Sequence, residues 1–142
     1  MQKKIYSGIL LVFILLAIFS CAAKSNYKND GVFEGRSRSR YTSEPFVAIS
    51  KVHIDKGIIR KIDFQIIDTL NNELFDDKYE NHFIGNSDYI NQCRNDWNGI
   101  LRYPAELIKT QEMDSVDAVS GATWSYNMFK SSTEIALSKA KR

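Results

Sequence analysis

Residues 46–68 alternate apolar and polar positions in two runs, FVAISKVHID and IIRKIDFQIID, on either side of Lys56-Gly57. Period-two alternation rich in β-branched residues, broken by a short loop ending in glycine, predicts a β-hairpin. In the second run Ile58, Ile62, Phe64 and Ile66 share one parity, with Arg60 the exception. In the first, Val47 and Ile49 share one parity and Val52 and Ile54 the other. A β-bulge near Ser50-Lys51 would reconcile the halves of that run. Upstream, DGVFEG at residues 30–35 reads as a short first strand with turn residues at both ends.

A helical period takes over at the C-terminus. In WSYNMFKSSTEIALSKAKR, Trp124, Met128, Ser132, Ile135, Ala136 and Ala140 fall near one face, with Phe129 and Leu137 beside it. This predicts a last helix that starts at or just after Thr123, with basic residues at its end complementing the helix dipole. A preceding helix is expected to begin at Pro104, bury Leu107 and Ile108 and stop before Asp114. Between them and the hairpin, NDWNG at residues 95–99 reads as a turn. Phe75, Tyr79, Phe83 and Ile84 read as the buried side of a helix, punctuated by Gly85-Asn86-Ser87. Strands followed by helices point to a single α+β domain, with antiparallel strands and a hairpin packed against helices.

The chain has 142 residues, enough for one domain. Its start departs from the pattern of a fold. Lys3 and Lys4 precede an unbroken apolar run over residues 9–19, then Ser20 and Cys21, the layout of a secretory signal too short for a comfortable membrane span. Residues 18–21, IFSC, resemble a bacterial lipobox, which implies that Cys21 is lipidated and becomes the first residue of the mature protein. The expected organisation is a signal peptide at 1–20, a lipidated tether at 21–29 and a domain at 30–142, held on the extracytoplasmic side of a membrane in a bacterial envelope. A retained transmembrane anchor is the alternative. The formal net charge of +2 is accounted for by Lys3 and Lys4, so the mature chain is neutral and gives no sign of nucleic-acid binding.

With Cys21 lipidated, Cys93 has no disulfide partner in the monomer and reads as a small buried hydrophobe. Arg36, Arg38 and Arg40 alternate along RSRSR, a solvated strand face or loop, with contact to an anion or lipid headgroup as the alternative. His53 reads as a rim residue, and His82 with Asp76, Asp77 and Glu80 as a solvated loop. Neither set has the spacing of a metal site. No phosphate-cradling glycine loop, nucleophile elbow or paired-cysteine motif is present, so no catalytic residue is assigned.

In DAVSGATWS, the small residues Ser120, Gly121 and Ala122 lead into Thr123 where a helix begins. Ser120 or Thr123 would serve as a cap accepting a backbone N–H. A helix start also favours a phosphate through its unpaired N–H groups.

Asp117-x-x-Ser120-Gly121-Ala122-Thr123 resembles the D-x-x-S/T-G-A-T motif of the FMN-binding domain family, which includes the flavin-carrying subunits of sodium-pumping NADH:quinone oxidoreductase and of the Rnf complex. DGVFEG resembles that family's opening and DKGIIRKI its next hairpin. The likeness spans most of residues 30–141, with 69–103 unaligned.

The resemblance implies FMN joined through its phosphate to Thr123, left there from FAD by a flavin transferase. Asp117, Ser120, Gly121 and Ala122 would serve recognition and close approach, and Trp124 and Tyr126 would line the isoalloxazine ring. The expected function is electron transfer to redox partner proteins in the membrane or envelope, by a carrier and not a complete enzyme. The alternatives are a non-covalent FMN-binding module and a structural envelope lipoprotein without cofactor.

Overall fold

The computed structural model describes residues 26–38 and 44–141. The expected signal peptide, Cys21 and Arg40 lie outside these residues. Four antiparallel strands form one meander in the order β1-β2-β3-β4: β1 (Gly31–Arg38), β2 (Phe46–Asp55), β3 (Ile58–Asp68) and the two-residue β4 (Glu73–Leu74). A 3-10 helix (Tyr79–Phe83), α1 (Ser87–Thr110), a second 3-10 turn (Met113–Ser115) and α2 (Thr123–Lys141) follow. The fold is α+β, as the order of periodicities predicts.

The hairpin forms where expected. Lys56 (φ 53°) and Gly57 (φ 70°) both take the left-handed conformation, the geometry that matches the twist of two antiparallel strands. Asp30 Oδ1 accepts the Gly57 N–H at 2.9 Å, so the DG opening clamps the turn. Backbone N–H groups of Gly57 and Lys56 hold the Asp30 carboxyl below the usual carboxylate range.

The bulge lies elsewhere than predicted. His53 opposes Lys61 and Ile54 opposes Ile59, which leaves Arg60 of β3 as the extra residue. The inward face of β3 accordingly switches from Ile59 to Ile62. β2 needs no bulge near Ser50, because Ala48, Ser50, Val52 and Ile54 form one continuous buried face. Two of those residues are small, which masks the alternation in the sequence.

They are small because α2 crosses the sheet closely. Ser50 Oγ lies 2.7 Å from Ser132 Oγ and 2.9 Å from Thr133 Oγ1. A Cβ placed on Gly35 would stand 1.9 Å from the Ser132 carbonyl oxygen and 2.6 Å from the Ala136 nitrogen. Both helices pack on this one face. One core cluster joins Val52, Ile54, Ile59 and Ile62 to Tyr103, Leu107, Phe129 and Leu137. A second joins Ala48 and Ile66 to Phe75, Tyr79, Cys93, Ile100 and Met128. Ile135, expected on the buried face of α2, is 41% exposed.

Three further expectations are corrected. The fold reaches back to Asn26: Tyr27 is buried in the core, Asn26 N–H bonds Gly57 O and Asn29 N–H bonds Ala140 O. These residues belong to the domain and not to the tether. Residues 95–99 are helical, and α1 runs straight through both NDWNG and Pro104. Proline removes one intrahelical hydrogen bond, yet Gly99, Ile100, Tyr103 and Leu107 are buried on either side of it. Tertiary packing carries the helix past the local break. Finally, only Tyr79–Phe83 is helical in the preceding stretch, and Ile84 is exposed.

Gly35→Ala is expected to destabilise the fold by at least about 1–3 kcal/mol, since its methyl group meets backbone that cannot rotate away. The midpoint of urea unfolding measures this, and an unchanged midpoint would contradict the close approach of β1 and α2.

Candidate functional site

The motif loop is held from below by one stripe of α1. Gln92, Asp96, Gly99 and Tyr103 are spaced four, three and four apart, so they lie on one helical face. Gln92 Nε2 donates to Gly121 O at 2.7 Å and to Asp96 Oδ2 at 2.7 Å. Asp96 Oδ1 accepts the Ser125 N–H at 3.1 Å. Tyr103, 0% exposed, donates its hydroxyl to Ala122 O at 3.0 Å and accepts the Val119 N–H at 3.3 Å. Its ring leans back along the helix as long helical side chains do. Gly99 makes room for it, because a Cβ there would lie 2.5 Å from the Tyr103 hydroxyl.

This arrangement changes the capping of α2. Ala122 O accepts the Tyr126 N–H at 3.1 Å, so Ala122 occupies the cap position ahead of Thr123. The N–H three residues on, at Ser125, is satisfied by the buried carboxylate of Asp96, 2% exposed. Neither Ser120 nor Thr123 caps the helix through its side chain; α1 supplies the cap. Thr123 is exposed, and its hydroxyl makes no hydrogen bond to the described residues. Its amide and that of Trp124 have no acceptor among the described residues either, leaving two donors for an anion. Asp117 and Ser120 are exposed. Gly121 has φ 75°, and a Cβ on it would lie 2.7 Å from Asn95 Nδ2.

Trp124, the residue after Thr123, lines a cleft of about 240 Å³ together with Glu44, Phe46, Phe75, Tyr79, Phe83, Tyr89, Gln92, Cys93 and Asp96; Asp117, Ser120, Gly121, Ala122 and Thr123 are not among its lining residues. Trp124 donates its indole N–H to Glu44 Oε2 at 3.1 Å and meets Phe46 edge-on, ring centroids 5.1 Å apart. Phe83 and Tyr89 stack at 5.1 Å. Among the described residues no lysine or arginine lines this cleft. Burial raises the Cys93 thiol pKa, and the nearby Asp96 and Glu80 carboxylates add to it, so Cys93 is a neutral, apolar part of the wall. Larger hollows of about 590 and 510 Å³ contain no residue of the 117–124 motif. Tyr126 lies apart from the cleft, packed on Tyr103 with centroids 5.5 Å apart; of the two aromatic residues expected at the ring, Trp124 alone lines it.

Asp68 holds Tyr79, one of the residues that line the cleft. Burial raises its pKa, but Tyr79 Oη and Asn71 Nδ2, both donating at 2.8 Å to Oδ2, and the Leu70 and Asn71 amides outweigh that effect and hold it low. Burial, and the same bond to Asp68, push the Tyr79 phenol upward.

Outside the site, His53 Nε2 lies 2.9 Å from Asp63 Oδ2 and His82 Nε2 lies 2.8 Å from Glu73 Oε2. Glu80 takes a two-pronged contact from Arg94. Among the described residues no cluster of His, Cys, Asp and Glu is arranged to hold a metal ion, and no helix is long and apolar enough to cross a membrane.

No protein-family model matches the sequence, and no curated protein matches it. Among solved structures, the crystal structure of the CPE2226 protein from Clostridium perfringens is similar with a TM-score of 0.58. The match covers 79% of this chain and 88% of that one at 22% identity. At that identity the likeness shows the fold alone.

Gln92, Asp96, Gly99 and Tyr103 are absent from the site read in the sequence. Their helical spacing was the available signal, and reading residues 95–99 as a turn hid it.

Tyr103→Phe leaves the Val119 N–H without its acceptor and is expected to cost about 1–3 kcal/mol, read as a lower urea midpoint. Asp68 contributes stability that is fully present above its unfolded-chain pKa near 3.9 and lost as pH falls through its lower folded value. Asp68→Asn should therefore flatten the acid limb of a pH series of unfolding midpoints. A limb as steep as in the parent would show that Asp68 is not the group titrating.

Proposed function

We propose that this chain is an FMN-carrying electron-transfer domain, anchored to the membrane through Cys21, with FMN joined by its phosphate to Thr123. The observation that carries this reading is the Thr123 hydroxyl, exposed and without a partner among the described residues, at a helix start whose cap comes from Asp96. A threonine needed as a cap would have its oxygen engaged; no described residue engages this one, which suits a nucleophile.

Attachment transfers a group and leaves oxidation states unchanged. Thr123 Oγ1 attacks the FMN-side phosphorus of FAD, a P–Oγ bond forms, the phosphoanhydride breaks and AMP leaves. The hydroxyl proton passes to a base of the flavin transferase. The Thr123 and Trp124 amides would bind the phosphodiester, and the aromatic walls at Trp124, Phe83 and Tyr89 would hold the isoalloxazine ring out of water. Bound flavin supplies the redox chemistry. The protein itself would hold the ring within reach of redox partners in the membrane or envelope. The anionic cap at Asp96 opposes the phosphodiester's charge, so the helix dipole helps less than the ~0.3–1 kcal/mol expected of an uncontested helix start.

In cells that also make a flavin transferase, the mature protein should fluoresce in a denaturing gel and carry the mass of FMN less one water. Thr123→Ser should keep both signals, and Thr123→Ala should lose both while shifting stability by no more than ~0.5 kcal/mol, as befits an exposed site. Equal fluorescence in Thr123→Ala would place attachment elsewhere. Flavin freed by denaturation would mean non-covalent binding, and a colourless protein would favour the cofactor-free lipoprotein.

A further inference from the structure

Gln92 is exposed, yet its amide nitrogen spends both hydrogens inside the site, one on Asp96 Oδ2 and one on Gly121 O, each at 2.7 Å. It is the link between the helix cap and the glycine turn. Gly121 sits in the left-handed conformation, and its carbonyl belongs to the peptide that leads into Ala122 and Thr123. The N–H side of that peptide is bonded to Val119 O at 2.9 Å; without the Gln92 bond its carbonyl side loses its tie to α1, and the turn leading into Thr123 is held less closely. Tyr103 and Asp96 grip the same loop from buried positions, where their loss also costs folding energy. Among the described residues, Gln92 is the exposed side chain that bonds the turn.

We infer that Gln92 is a positioning residue for the modification of Thr123: it fixes the Gly121 turn so that Oγ1 is presented in line with the phosphoanhydride of an incoming flavin dinucleotide. This rests on the proposed attachment at Thr123. Attack at phosphorus needs a narrow range of approach, and a misplacement of about 1 Å costs up to 10²-fold in rate. Gln92 touches neither phosphorus nor nucleophile. It acts through the backbone of Gly121.

The test uses the full chain in detergent, prepared without flavin, with purified flavin transferase and FAD. The rate of covalent mass gain is followed over a range of chain concentrations. Gln92→Ala is expected to lower kcat about tenfold with KM for the chain little changed; because Gln92 is exposed, water replaces its bond to Asp96 Oδ2 and the melting temperature of the unmodified protein falls only slightly. Gln92→Lys, which keeps a donor within reach of both oxygens, should retain more of the rate than Gln92→Ala. Gln92→Glu, which has none, should not. A Gln92→Ala rate equal to the parent's would overturn the inference and leave attachment at Thr123 standing. So would a rate loss matched by a fall in melting temperature. A parent chain that gains no mass would overturn both.

Discussion

The hydrogen bonds from one face of α1 to the 119–122 loop and the first turn of α2 are the constraint on which the rest of the site depends. Tyr103 fixes Ala122 and Val119, Asp96 fixes Ser125, and Gln92 fixes Gly121. The loop has no regular structure of its own to satisfy these backbone groups, and buried polar groups left unpaired are costly. α1 meets that demand, and in doing so decides which way the loop faces. The Ala122 carbonyl alone gathers three donors: the Tyr103 and Ser125 hydroxyls and the Tyr126 amide. Thr123 is then left exposed, with an oxygen that no described residue engages.

That placement needs α2 to lie close on the sheet. Gly35, Ser50, Ser132 and Thr133 form a seam of small residues where helix backbone and strand backbone nearly touch. The serine and threonine hydroxyls there satisfy one another, so the seam is polar yet carries no unpaired group. Larger side chains would lift the helix and take its N-terminus away from Asp96 and the aromatic cleft. The glycine in the DGVFEG opening and the hydroxyls of the last helix thus serve one purpose: they set the height of α2 above the sheet.

The electrostatics at the head of α2 are divided. The helix start favours an anion, and Asp96 already supplies one, buried and bonded on both oxygens. Under the proposed reading a phosphodiester at Thr123 would be bound by the two free amides next to a carboxylate, and the aromatic walls, not charge attraction, would carry most of the hold on a flavin. A covalent link suits such a site, because retention then owes little to affinity.

Much of the architecture was legible along the chain. The hairpin, its Lys56-Gly57 turn, the opening strand and the start of α2 at Thr123 are local features, set by period, turn chemistry and glycine placement within a few residues. The motif from Asp117 to Thr123 was likewise readable as a string. What the tertiary structure decided are the places where packing overrode local signals. Pro104 and the NDWNG stretch look like breaks, but a buried face from Cys93 to Leu107 keeps 24 residues helical through them. Ala48 and Ser50 look like a lapse in strand alternation, but they are small because a helix lies on them. Thr123 looks like a cap, but a carboxylate 27 positions earlier does that work, because only the fold brings Asp96 to the head of α2. Sequence by itself determined most of the elements and the motif threonine; the packing of α1 beneath the loop decided that, among the described residues, its hydroxyl is not used as a cap.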